Sequence, residues 1–333
     1  MSRDLILVTG GAGFIGSNIV ADLCEAGRAD VAVCDRLEGA ETGKWRNLAR
    51  HDIVDLFPPE GLMDWLGRHE GRVCAIVHMG AISATTEPDA DLILSTNFGL
   101  SKTLWDWTAA RGRTLVYASS AATYGDGTTG FDDADDYASL KALRPLNAYG
   151  WSKALFDLYA RREADRGHAP AGWAGLKFFN VYGPNEGHKG AMKSVVAQIW
   201  PKVAAGEAVS LFQSHRPDYA DGGQSRDFVH VRDAAAVAAW LVDRPDVAGI
   251  YNLGTGTARS FLDLARATFA AAGRDPQIRF VPTPEVIRDK YQYFTEARME
   301  RLRGLGYNAP FLTLEEGVND YVTRFLSTAD PHR

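Results

Sequence analysis

Leu5-Ile6-Leu7-Val8-Thr9-Gly10-Gly11-Ala12-Gly13-Phe14-Ile15-Gly16 decides the fold of this chain. An apolar run of strand length enters a glycine cluster, and residues 15–26 then carry apolar side chains at helical spacing. Glycines in such a turn permit a tight bend. They also let backbone N–H groups approach an anion at the positive end of the following helix. The stretch fits G-x-G-x-x-G from Gly11 and G-x-x-G-x-x-G from Gly10, so Gly10, Gly13, Phe14, Ile15 and Gly16 are candidate contacts of a dinucleotide pyrophosphate. A second apolar run, 31–35, ends on Asp35, where a carboxylate would meet the adenosine ribose.

Working outward, residues 75–78, 115–119 and 176–180 read as further strands, and 95–111 and 149–166 as helices. Repeated strand–helix–strand units imply an α/β Rossmann fold, a doubly wound parallel sheet covered on both faces. Beyond Gly183 the pattern becomes irregular, and 227–231, 233–242 and 250–253 resemble a return to it. We therefore expect a Rossmann domain over 1–178, with returns near 226–257 and 289–297. A smaller, interleaved α/β substrate-binding domain takes 179–225, 258–288 and 298–333.

Bulk properties narrow the function. The chain has 333 residues, 46% hydrophobic and 23% charged, and a net charge of −6 without a polybasic run. Nucleic acid and anionic membranes both need clustered cations, so neither is an expected partner. Anionic ligands must be held by local groups. Cys24, Cys34 and Cys74 lack metal-ligand spacing and are odd in number, as in a reducing, cytoplasmic setting. The apolar start is too short for a signal segment, and nothing approaches the length of a membrane span.

Around the expected cofactor site, Arg36 and Lys44 follow the acidic position and could neutralise a 2′-phosphate. That favours NADP and leaves NAD open. Asp52 and Ile53 are candidates for the adenine edge, Met79, Gly80, Ala81 and Ser83 for the phosphates, and Asn97 for packing beside the cofactor.

Tyr149-Gly150-Trp151-Ser152-Lys153 places a phenol and an ammonium one helical turn apart. A fixed ammonium at about 4 Å favours the phenolate by a few kcal/mol, enough to bring a Tyr pKa from about 10 towards neutrality. Tyr149 is thus a candidate general base and acid, and Lys153 a candidate donor to the nicotinamide ribose. Ser120, at the carboxyl end of the fifth strand, could hydrogen-bond both a substrate oxygen and Tyr149. Competing chemistries lack their residues: there is no H-E-x-x-H, no phosphate-loop spacing, and Ala154 breaks a G-x-S-x-G elbow. His188 and His230 read as structural histidines.

The glycine loop, Ser119-Ser120-Ala121-Ala122-Thr123-Tyr124-Gly125 and Tyr149-x-x-x-Lys153 resemble the extended short-chain dehydrogenase/reductase family. Phe179-Asn180-Val181-Tyr182-Gly183-Pro184-Asn185-Glu186-Gly187-His188-Lys189-Gly190, Ser83-Ala84-Thr85-Thr86-Glu87, Arg226-Asp227-Phe228-Val229 and Tyr291-Gln292 narrow the resemblance to its epimerases acting at C6 of an ADP-heptose. The resemblance implies redox-neutral inversion through a 6-keto intermediate, with hydride passing to tightly held NADP and back, in lipopolysaccharide core synthesis. It assigns proton transfer to Tyr149 and Lys189, with Ser120 assisting and Lys153 holding the ribose. Asn180, Lys189, Ala191, Gln198, Phe212, Gln213, Arg226 and Tyr291 are carried over as substrate positions, with Arg226 as the diphosphate clamp. It also implies a homo-oligomer, a pentamer in that branch. Ala191 stands where the family has Ser, Gln198 where it has His and Met79 where it has Glu, and 213–225 is longer than usual. A UDP-hexose 4-epimerase shares Ser120, Tyr149 and Lys153 but has no need of Lys189. A non-catalytic NADP-binding sensor would have no use for an activated phenol.

Overall fold

The computed structural model describes residues 4–37, 42–85, 87–288 and 292–333, without the side chains of 286 and 287. Seven strands form one parallel sheet: β1 (Leu5–Thr9), β2 (Asp30–Cys34), β3 (Asp55–Phe57), β4 (Val73–His78), β5 (Thr114–Ser120), β6 (Gly172–Phe178) and β10 (Ala248–Leu253), in the order β10-β6-β5-β4-β1-β2-β3. Alternate residues of these strands enter two separate cores. Ile6, Val8, Val31, Val33 and Val77 pack with Ile19, Val20 and Leu23 of helix Phe14–Ala26 and with Val237 and Leu241 of helix Val231–Val242. Leu5, Leu7, Ala32, Ile76 and Leu115 pack on the other face with Trp65, Leu104, Trp105 and Phe156. A sheet buried on both faces needs strands apolar at every position, which Leu5-Ile6-Leu7-Val8 supplies.

Strand order reverses beside β1: the chain moves out to β2 and β3, then returns to β4 on the other side. That reversal opens a crevice beyond the carboxyl ends of β1 and β4, where ligands of such sheets bind.

The remaining strands form two small sheets. β7 (Asn180–Tyr182), β9 (Ser225–His230) and β11 (Ala258–Ser260) make one, and β8 (Val209–Phe212) and β12 (Ile278–Val281) the other. They share a third core with helices Val195–Ala205, Phe261–Ala271 and Leu314–Tyr321, containing Val196, Ile199, Leu211, Leu264, Phe269 and Val318.

Three sequence expectations are corrected. The apparent strand–helix–strand return is split between sheets, since β9 pairs with β7 and β11 whereas β10 joins the large sheet. The strand expected over 176–180 begins at Gly172 and ends at Phe178; Asn180 opens β7. The helix expected over 95–111 begins earlier, at Ala90, and passes through a π turn, Leu94–Gly99, before Leu100–Arg111. Asn97 lies in that turn, buried, and its amide bonds both backbone groups of Ile82. Among the described residues no helix is long and apolar enough to cross a membrane.

Candidate active site

A cavity of about 750 Å³ opens at the strand reversal and runs towards the small sheets. Its first wall is the glycine turn. Gly10 sits at φ +66°, and a β-carbon there would meet the Gly80 nitrogen at 2.6 Å. A β-carbon on Gly16 would run into the Gly10 carbonyl oxygen. The turn is therefore closed to any other residue at these positions, and its backbone can approach a pyrophosphate directly. Asp35, at the end of β2, accepts the Ala12 N–H (2.9 Å) and the Lys44 ammonium (2.9 Å); Lys44 also donates to the Arg36 carbonyl (2.8 Å). This cradle fits a dinucleotide.

Met79, Gly80, Ala81 and Ser83 continue the wall after β4. Asn97 does not reach the cavity. It acts from behind, tying the Ile82 backbone to the Ser152 hydroxyl (3.1 Å) and hence to the helix bearing Tyr149. Arg36 forms an ion pair with Glu60 and lines a separate small pocket with Asp35, Leu37 and Phe57. Asp52 is exposed and Ile53 packs against the core, so neither lines the cavity.

Ser120, Tyr149 and Lys153 share the second wall. Helix Ala148–Asp165 starts at Asn147, whose side chain accepts the Gly150 N–H (2.8 Å), so Tyr149 falls in the first turn. Burial pushes the Tyr149 phenol above its ordinary pKa, and a hydrogen bond with Ser120 pulls it down. Burial likewise pushes Lys153 down to about 8, opposed by the Asp157 carboxylate. Helical spacing alone predicts the opposite sign for the phenol, because it reports a neighbouring charge and says nothing of desolvation. Lys153 is buried and Tyr149 half-buried, and burial disfavours the charged form of each. Ser120 is thus the group that favours the phenolate, while burial favours the neutral phenol.

The third wall is 178–195. Asn180, His188, Lys189, Lys193, Ser194 and Val195 face the cavity, with Phe228, Phe261 and Leu264 beyond them. Lys189 lies 5.0 Å from the centroid of the Phe14 ring; burial lowers its pKa, and Glu186 opposes this. Glu186 is itself buried and accepts the Ser194 hydroxyl and N–H, each at 2.5 Å, which pins the loop carrying Lys189. Asn47 donates to the carbonyls of Ala12 (2.9 Å) and Asn185 (3.2 Å) and stands 3.4 Å from His188 Nδ1. It joins the glycine turn to the Lys189 loop. Motif reading missed Asn47, Lys193 and the Phe228–Phe261–Leu264 wall, since no local spacing marks them.

Other expected substrate positions do not line the cavity. Ala191 and Gln198 are exposed, and the Gln198 amide holds the carbonyls of Ala191 (3.2 Å) and Lys193 (2.6 Å). Phe212 ends β8, and the Gln213 carbonyl accepts Thr283 (2.8 Å). Arg226 donates to the carbonyls of Ser225 (2.8 Å) and Gln292. Its guanidinium joins two backbone segments and lies 5.7 Å from the centroid of the Phe261 ring, which lines the cavity. Tyr291 lies outside the described residues.

Residues 6–254 match the NAD dependent epimerase/dehydratase family. The chain belongs to that family. It is 48% identical, over 98% of its length and all of the relative's, to an ADP-L-glycero-D-manno-heptose-6-epimerase of Nitratidesulfovibrio vulgaris. A Helicobacter pylori crystal structure of the same name superposes with a TM-score of 0.80 at 26% identity, covering 98% of this chain and 97% of that one. A Thermus thermophilus UDP-glucose 4-epimerase in complex with NAD gives 0.74 at 28% identity, over 98% and 100%. Within the epimerase/dehydratase family this chain is an epimerase, an isomerase that works with a nicotinamide dinucleotide.

Proposed function

We propose that the protein inverts C6 of an ADP-heptose, converting the D-glycero-D-manno epimer to the L-glycero-D-manno epimer, with NADP as the resident dinucleotide. The observation that carries this is the meeting of Lys189 with Ser120, Tyr149 and Lys153 on one cavity. Inversion of a carbinol centre needs proton handling towards two faces of the intermediate ketone, and Tyr149 and Lys189 reach the cavity from separate walls. The names of the similar proteins support the substrate. A bound nicotinamide dinucleotide supplies the removal and return of the hydrogen on C6.

The chain's own groups do the rest. Ser120 orients and acidifies the Tyr149 hydroxyl, and its phenolate form takes the C6 hydroxyl proton and later restores it. Lys153 holds the nicotinamide ribose. Lys189, its pKa lowered by burial, exchanges a proton with the ketone oxygen when the opposite face is presented. Lys44 neutralises Asp35, which removes the repulsion a 2′-phosphate would meet there and supports NADP over NAD. Such a product would serve lipopolysaccharide core synthesis.

The test is to incubate the purified protein, with no cofactor added, with ADP-D-glycero-D-manno-heptose and a panel of UDP- and GDP-hexoses. NMR should show the L-glycero epimer growing from ADP-heptose alone. Turnover of a UDP-hexose with ADP-heptose untouched would overturn the reading.

A further inference from the structure

The loop that presents Lys189 is fastened at two places. Past Lys189, Ser194 is gripped by Glu186. Before Lys189 the loop turns on Asn185, the one non-glycine among the described residues with a left-handed backbone, at φ +73°. Asparagine tolerates that region better than most residues, yet such a conformation persists only where its surroundings fix it. Here three contacts do so. The Asn185 carbonyl accepts the Asn47 amide (3.2 Å), and its own amide donates to the Ser17 hydroxyl (2.9 Å). Its side-chain oxygen accepts the backbone N–H of Arg333 (2.8 Å).

Arg333 does not line the cavity and takes no part in the chemistry derived so far. Its side chain, 11% exposed, runs past Asn185 onto helix Phe14–Ala26. There the guanidinium donates to the Asn18 carbonyl (3.3 Å), pairs with Asp22 and reaches Glu25 at 3.2 Å. Asp22 is half-buried, so losing the guanidinium would leave its charge stranded. The residues before Arg333 are tied down as well. Arg50 donates to the His332 carbonyl (3.0 Å) and to the Asp330 carboxylate (2.6 Å).

The two ends of Arg333 therefore hold two different things. Its N–H holds the turn from which the Lys189 loop departs. Its guanidinium holds the helix whose first residue, Phe14, lies 5.0 Å from the Lys189 ammonium. We infer that Arg333 is a positioning residue, which clamps Asn185 to helix Phe14–Ala26 and so sets where Lys189 stands in the cavity. This rests on the reading of Lys189 as a proton handler and adds the residue that keeps it in place.

The test uses protein carrying its resident cofactor, with inversion of ADP-D-glycero-D-manno-heptose and backbone hydrogen–deuterium exchange measured side by side. Arg333→Ala should lower kcat about 10- to 100-fold, the loss expected of a displaced proton handler, with KM within about threefold of wild type. Exchange should quicken about tenfold or more in residues 185–193 and keep its wild-type rate in helix Ala148–Asp165. Arg333→Lys keeps a cation for Asp22 and should recover most of both. Asn185→Gly approaches the clamp from its other side. It keeps the left-handed backbone, loses the side-chain contact with Arg333, and should show the same two changes. Unchanged kcat and exchange in Arg333→Ala would overturn the inference. So would faster exchange throughout the chain, which marks a general loss of stability. Lys189→Met is assayed alongside. If it is inactive, a change in kcat without a change in loop exchange, or the reverse, also overturns the inference. Full inversion by Lys189→Met would refute the proton-handler reading alone, and the hold of Arg333 on the loop would then be decided by exchange.

Discussion

The Lys177 ammonium lies 2.8 Å from the Asp157 carboxylate, and both side chains are completely buried. Asp157 also accepts the hydroxyls of Ser119 (2.7 Å) and Tyr117 (3.1 Å), while Lys177 donates to Thr123 (2.7 Å). β5, β6, the turn after Ser120 and the helix of Tyr149 and Lys153 are thereby joined directly behind the candidate catalytic groups. Removing one member of a buried pair strands the other charge. Lys177→Met should therefore lower unfolding stability by about 3–5 kcal/mol. Lys177→Met combined with Asp157→Leu should cost less than the two singles added together. Urea denaturation measures both, and a single variant within about 1 kcal/mol of wild type would refute the view that the pair holds these elements.

Ser120 lowers the Tyr149 pKa against the upward push of burial. Ser120→Ala removes that hydrogen bond, so the phenol's pKa rises further and the limb of the rate profile that reports its deprotonation should move to higher pH. Tyr149→Phe should reduce turnover by about 10²- to 10⁴-fold while the cofactor stays bound. Rates across pH 6–10, with cofactor content measured alongside, check both. A limb that does not move in Ser120→Ala would show that the hydrogen bond does not tune the phenol.

Lys153 has a folded-state pKa of about 8, below the 10.5 of a free lysine. The unfolded chain therefore binds the extra proton between about pH 8 and 10.5, and this group's burial cost falls as pH rises through that window. Stability attributable to Lys153 should increase from pH 8 upward, and Lys153→Met should abolish that component. Activity should run the other way in wild type. The charged ammonium that holds a ribose is lost as pH rises through about 8. Chemical denaturation of the two proteins at pH 7, 8.5 and 10 is the measurement; parallel curves would contradict the assigned shift.

What could be read from sequence was local. The Gly10–Gly16 turn announces itself because backbone closeness to Gly80 and to its own carbonyl admits only glycine. Tyr149 and Lys153 share a helix face, and Ser120 ends a strand that reads as apolar from residue 115. What could not be read depends on residues brought together from afar. Asn47 meets His188 across 141 positions, and Lys177 meets Thr123 across 54. The Arg226 hydrogen bond to the Gln292 carbonyl, 66 residues away, is likewise set by how the chain packs onto β9. The sign of the Tyr149 shift was misjudged for a related reason, since burial is a property of the folded surroundings and not of i, i+4 spacing.

Lys44 holds Asp35 at 2.9 Å, so the acid that would meet the ribose is already neutralised. Lys44→Ala leaves that carboxylate bare beside the 2′ position. Affinity for NADP should then fall by about tenfold or more relative to NAD. Fluorescence titration of cofactor-stripped protein with each dinucleotide decides it, and equal losses for the two would discard the 2′-phosphate role.

Lys189 gives the sharpest test of the two-walled chemistry. It reaches the cavity from the loop pinned by Glu186 and Ser194, whereas Tyr149 reaches it from the first turn of helix Ala148–Asp165. If each serves one face of the ketone, Lys189→Met should still oxidise one epimer and return it unchanged, because Tyr149 alone can remove and restore that proton. The other epimer should not form. In heavy-oxygen water the ketone formed transiently would exchange its oxygen, so label should enter recovered substrate while no inversion is detected. Mass spectrometry of the recovered sugar nucleotide, with NMR for the epimer ratio, separates the cases. Inversion at the wild-type rate would mean that Tyr149 serves both faces and that Lys189 has another task. Loss of label together with loss of inversion would mean that Lys189 is needed before the ketone exists, which is equally at odds with one proton handler for each face.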